Sequence, residues 1–139
     1  MNLTVAIILA SIAEFIVGAI WYTPIFGNVW GKIHGFDPAK MSKDEVKEVQ
    51  KQMAPMLLVQ FIGTVVTTIV LAKVIEAFPA YSVYEVAALV WVGFFVPTQV
   101  SAVIFGDTKS PWVLKKILIM TGGSLACLLA AAAVLQIAL

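Results

Sequence analysis

The chain has 139 residues, 61% of them hydrophobic and 12% charged, with a formal net charge of +1 and a mean hydropathy of +0.99. Soluble domains carry about a quarter charged residues and about half apolar ones, so this composition excludes an ordinary water-soluble domain and points to a bilayer. With no basic block to meet phosphates, nucleic acid is not an expected partner, and the single cysteine, Cys127, excludes a disulfide within the chain.

A helix needs about 20 apolar residues to cross roughly 30 Å of hydrocarbon. Segments 3–22, 55–75, 83–105 and 112–139 meet that requirement. The expected fold is an all-α membrane protein, one domain over 1–139 built as a four-transmembrane-helix bundle. The first run has no lysine ahead of it and no clear cleavage site, so a retained span is expected rather than a signal peptide. Near its middle lies Glu14, where an ionised side chain costs roughly 2.5–3.5 kcal/mol on insertion scales. Hydrocarbon disfavours the carboxylate, so the neutral acid is expected there. Ala6, Ala10, Glu14 and Gly18 form a four-residue row, a small-residue ridge that lets another backbone come close.

The first connection, 23–54, is expected to be helical and cytoplasmic. Thr23-Pro24 reads as a cap followed by proline at the first helical position. Phe26, Val29, Trp30 and Ile33 then follow a helical stripe, and Gly35 is a stop. That is a short amphipathic interfacial helix, with Trp21, Tyr22, Phe26, Trp30 and, further on, Trp112 as interfacial anchors. Ser42 to Glu45 reads as a capping box opening a polar helix over 43–53. Pro55 is expected to bend the chain before the second span.

On the second span Gln60, Thr64 and Thr67 share a face, with Gly63 beside them. Ser82 to Glu85 is another capping box, opening the third span. Pro97 removes a backbone donor from that span and frees a carbonyl that polar neighbours must satisfy; Thr98, Gln99 and Ser101 follow it. Ser110-Pro111 repeats the cap-plus-proline start before the fourth span, which offers Thr121 and Ser124. Two rows of small residues run along that span, Gly122, Ala126, Ala130 and Gly123, Cys127, Ala131, a face for close packing against another span or a second copy. Glu14, Gln60, Thr64, Thr67, Thr98, Gln99 and Ser124 all fall between the midplane and one surface, and one reading joins them in a polar pocket. The competing reading makes them interhelical hydrogen bonds that only hold the bundle together.

Orientation follows the lysines, there being no arginine. Five lie in the first connection and three at the third (Lys109, with Lys115 and Lys116 at the start of the fourth span), and only Lys73 belongs to the opposite side. Connections one and three are therefore expected in the cytoplasm, with both termini outside. Ile25-Phe-Gly-Asn28 and Ile104-Phe-Gly-Asp107 echo each other after the odd-numbered spans, a faint sign of a duplicated hairpin. His34 is the one histidine. With one histidine and one buried cysteine the usual metal-ligand count is not reached, so no metal or cofactor is expected and His34 is read as a polar cap.

Gly18-Ala-Ile-Trp21-Tyr22-Thr-Pro24-Ile-Phe26-Gly27-Asn-Val-Trp30, then Trp91-Val-Gly93-Phe94 and Phe105-Gly-Asp-Thr-Lys-Ser-Pro111-Trp112-Val-Leu114, cover most of the chain. In these motifs the sequence resembles a family of small bacterial membrane proteins designated domain of unknown function 1761. The resemblance implies the four-helix architecture and a bacterial inner membrane, and implies no activity. Family members often carry an acid directly after the phenylalanine at the end of the third span, where this chain has Gly106 followed by Asp107. Many also carry Asn-Ala-Gly-aromatic where this chain reads Met120-Thr-Gly-Gly123.

Two functional readings follow. One is a small transporter or ion- or solute-binding protein with Glu14 at its centre, assembled as a homo-oligomer because four helices scarcely enclose a path. The other is a non-catalytic accessory or scaffold subunit that binds lipids or a larger membrane complex. An enzyme ranks third, since no nucleophile lies beside a base and no phosphate-cradling loop is visible.

Overall fold

The computed structural model describes residues 1–139, the side chain of Pro38 excepted, and contains helices and connections but no strand among the described residues. The helices are α1 (Leu3–Ile20), α2 (Gly27–Ile33), α3 (Lys43–Ala77), α4 (Val83–Val90), α5 (Val96–Ile104) and α6 (Val113–Leu135). π-helical turns, Trp21–Ile25 and Trp91–Phe95, extend α1 and join α4 to α5. Four continuous apolar spans result: Leu3–Ile25, Lys43–Ala77, Val83–Ile104 and Ser110–Leu135. The chain is a four-helix, multi-pass membrane protein.

The helix starts follow local chemistry. Asn2 Oδ1 accepts the Val5 amide at 2.9 Å and caps α1. At α4 the box is complete: Ser82 Oγ accepts the Glu85 amide, and Glu85 Oε2 accepts the Ser82 amide at 2.7 Å. At α3 Ser42 supplies the side-chain cap to Glu45. Ser110-Pro111 does not cap α6 with a side chain. It opens a 3₁₀ turn, Ser110–Trp112, that leads into the helix. Gly35 ends α2 as expected, with φ +73°. The Phe36 amide reaches back to Gly31 O and the Gly35 amide to Lys32 O, which satisfies carbonyls left open at the helix end.

Contrary to expectation, Pro24 does not start a new helix. No break occurs at Thr23-Pro24; the helix widens instead, and the Phe26 amide bonds to Trp21 O, five residues back. The second π turn, just before Pro97, has the same pattern, the Val96 amide meeting Trp91 O. Proline cannot donate to the residue four back, and the wider turn re-routes the bonding around it. Pro55 lies inside α3 without ending it. That helix of 35 residues is about 52 Å long, so its lysine-rich start projects well beyond roughly 30 Å of hydrocarbon.

The central element is α6. It packs along α1 on one side and against α4, the second π turn and α5 on the other, while α3 is held mainly by α1. The apolar core, including Ala6, Ala10, Leu71, Ala87, Leu128, Ala132 and Leu135, lies toward the end that carries both termini. Small residues at this core let α1 and α6 come close enough for dispersion to accumulate. The small row of α1 meets the Gly123, Cys127, Ala131 row of α6: Gly18 lies beside Cys127, with 3.6 Å from the position of a Gly18 Cβ to the thiol sulfur. The close-packing partner of α6 is thus α1 of the same chain.

Candidate functional site

Glu14 sits at the middle of the Leu3–Ile25 span and is only 6% exposed. Its Oε1 is 2.8 Å from Oγ1 of Thr68, which is fully buried on α3. Thr68 Oγ1 is also 2.8 Å from the Thr64 carbonyl one turn back, and Thr64 Oγ1 donates to the Gln60 carbonyl at 3.0 Å. On the other side of Glu14, the Cys127 thiol of α6 donates to the Glu14 backbone carbonyl at 3.4 Å. The acid therefore lies where α1 meets both α3 and α6. Phe15 and Phe61 meet edge to face at 5.5 Å between centroids and close the α1–α3 seam beside it.

The remaining polar residues gather elsewhere. Ser124 Oγ, on α6, donates to Gln99 Oε1 of α5 at 3.0 Å. Thr98 is exposed on the surface of α5, its hydroxyl donating to Phe94 O at 2.6 Å, which satisfies a carbonyl in the turn before Pro97. Gln60 is exposed and Thr67 half-buried on α3. One of the two readings joined these groups in a single pocket; the structure shows two nodes, Glu14–Thr68–Thr64 between α1 and α3 and Gln99–Ser124 between α5 and α6. The central helix α6 stands between them.

Thr68 was missed because the row on α3 was drawn from Gln60 through Thr64 to Thr67. Thr68 is four residues from Thr64, and the buried row continues through Leu71, Ala72 and Ile75. Leu71 and Ile75 lie four and eight residues after Thr67 as well, so the apolar continuation does not by itself choose Thr68. Trp91 was also passed over. It lies well inside its span, away from the usual aromatic belts, and an indole N–H in hydrocarbon needs an acceptor.

That acceptor is on α6. Trp91 Nε1 donates to Thr121 O at 2.8 Å, and Trp21 Nε1 donates to Ile119 O at 2.9 Å. Each tryptophan begins a π turn, and the two indoles grip neighbouring carbonyls of one helix from opposite spans. Gly122 and Gly123 make room for Trp21. A Cβ on Gly122 would lie 2.8 Å from Trp21 Cζ2, and one on Gly123 would lie 2.9 Å from Cδ1.

The aromatic anchors are thus partly turned inward. Trp21 packs on Phe26 and Tyr22 on Trp30, each pair at 4.8 Å, and Trp30 lies 4.4 Å from His34. Lys116 stands over Trp30 at 5.7 Å and Lys115 over Trp112 at 5.3 Å. His34 Nδ1 is 2.8 Å from Trp30 O, at the carboxyl end of α2. Trp21 and Tyr22 serve the contact with α6, while Trp30 and Trp112 lie beside lysines at the bundle's lysine-rich end.

Among the described residues no three His, Cys, Asp or Glu side chains come together. Clefts of about 270 Å³, lined by Val74, Phe78 and Phe94 among others, and about 500 Å³, lined by Glu76, Tyr84 and Gln136 among others, open near the termini, away from Glu14.

Residues 5–136 match the family described as protein of unknown function (DUF1761). The chain belongs to that family. No curated protein and no solved structure matches it. In this DUF1761 chain, the Gly122-Gly123 pair, where the resemblance places a glycine and an aromatic, forms the seat of Trp21.

Proposed function

We propose that this protein is a small ion- or solute-binding membrane protein, and in its fullest form a transporter, with Glu14 as the residue that binds. One observation carries the reading. A carboxyl group lies at the middle of a span, nearly closed from solvent, facing a hydroxyl and no cation. Such a group is costly in hydrocarbon and tends to mark a pathway or a bound ion. The proposed setting is a bacterial inner membrane, with the lysine-rich connections in the cytoplasm and both termini outside. Four helices scarcely enclose a path, so transport would use a homo-oligomer. Because α1 and α6 pack their small faces on each other, contacts between copies would use the lipid-exposed faces. Proteoliposome flux of protons and simple cations tests the reading: flux lost in Glu14→Gln supports it, and flux absent from the wild type refutes transport.

A second reading, an accessory subunit, is favoured by α3. Its first turns carry Lys43, Asp44, Glu45, Lys47, Glu48 and Lys51, a mixed-charge helix continuous with a span, suited to docking a partner at the membrane surface. Purification from native membranes discriminates: a reproducible stoichiometric complex lost on charge reversal at Lys47 and Glu48 favours it, and a pure small oligomer favours the first reading.

A further inference from the structure

We infer that the Glu14–Thr68 pair is a one-proton site: the acid is neutral in the folded bundle and donates its proton to Thr68, so the ligand held there is a proton and not a metal cation. The inference rests on the ion-binding reading above and names its ion. It follows from an inventory of hydrogens. Thr68 has one hydroxyl proton, yet its oxygen is 2.8 Å from Glu14 Oε1 and 2.8 Å from the Thr64 carbonyl. A carboxylate and a carbonyl are both acceptors only, so one hydroxyl proton cannot serve both at full strength. If Glu14 carries a proton, the chain closes: Glu14 donates to Thr68, and Thr68 donates to Thr64 O.

The surroundings agree. From α3 the acid meets the hydroxyl of Thr68, with Thr64 one turn away, and from α6 the Cys127 thiol, which donates to the Glu14 backbone carbonyl. No cationic group stands among these. The ion pair of Lys73 and Glu76 lies at the terminus-bearing end of α3, with both side chains largely exposed. A metal cation would need several oxygens turned toward it, whereas a proton requires only the oxygens already in place.

Burial along the same row deepens toward the acid. Along α3 the side chains run from Gln60, exposed, through Thr64, 8% exposed, to Thr68, fully buried. Gln60 lies on the side of the lysine-rich connection.

Infrared titration of the full chain in liposomes tests this, with protons, sodium and potassium as the probes. At neutral pH we expect one protonated-carboxyl band that is lost in Glu14→Gln. It should shift to higher frequency in Thr68→Val, return in Thr68→Ser, and stay unchanged when sodium replaces potassium. If Glu14→Gln does not fold, the Thr68 pair carries the test in the wild-type acid. The inference is overturned if the band is missing at neutral pH, if Thr68→Val leaves it in place, or if either metal ion abolishes it. Sodium-dependent loss of the band would remove the proton site yet keep the ion-binding reading. An intact band in a protein without flux would keep the proton site and remove transport.

Discussion

Gly122→Ala places a methyl group in the seat of Trp21. The new Cβ would lie 2.8 Å from Cζ2 and 3.3 Å from Cη2 of the indole, where carbon atoms prefer about 3.5–4.0 Å. The ring must retreat by roughly 0.7 Å to reach even the shorter of those separations. It is not free to do so, because its Nε1 is bonded to Ile119 O at 2.9 Å and Phe26 packs on it at 4.8 Å. Overpacking of this kind costs about 1–3 kcal/mol, and an indole that swings away forfeits a hydrogen bond of about 0.5–1.5 kcal/mol. Alanine's better helix propensity returns about 1 kcal/mol. The net expectation is a loss of about 0.5–3.5 kcal/mol, measured by reversible unfolding in mixed micelles of anionic and non-ionic detergent. The same substitution in a Trp21→Ala background should lose most of that penalty, since the clash has gone. A neutral or stabilising Gly122→Ala, or an equal cost with and without the indole, would refute the seat.

Other expectations use the same kind of measurement. Trp91→Phe removes the donor to Thr121 O together with part of the indole's bulk, so it should cost at least the hydrogen bond's share of about 0.5–1.5 kcal/mol; no change would mean that the bond contributes nothing. Ser82→Ala removes one arm of the complete capping box and should cost about 1 kcal/mol, read as a lower midpoint of unfolding. Gly35→Ala forces a side chain into φ +73° at about 1–2 kcal/mol, and proteolysis of the 34–42 connection should accelerate. In a Cys127→Ala background, cysteines at Lys47 and Asp107 should react with an impermeant reagent from the same side of the membrane. Labelling from opposite sides would overturn the four-span topology.

Much of the architecture was legible because lipid imposes it. Without water to satisfy the backbone, an apolar run of sufficient length becomes a helix whatever its neighbours, so the four spans and the Ser82 and Gly35 boundaries could be read from residue type and spacing. The candidate site was legible only in part. Glu14, Thr64, Gln99 and Ser124 were identifiable as polar groups in apolar runs, but their pairing was not. Whether Thr67 or Thr68 faces Glu14 depends on the rotation of α3 about its axis, and neighbouring residues on a helix differ by about 100°. That rotation is fixed by contacts between distant segments, such as Phe15 on Phe61. Likewise Thr23-Pro24 carries the local signature of a helix start, yet the chain continues as a π turn whose first residue, Trp21, reaches Ile119 O. Medium and periodicity decided which segments are helices. The tertiary structure alone decided which faces meet, dividing the candidate polar groups into two nodes and seating an indole on two glycines far along the chain, because side-chain partners across a bundle are set by how whole helices turn and slide against each other.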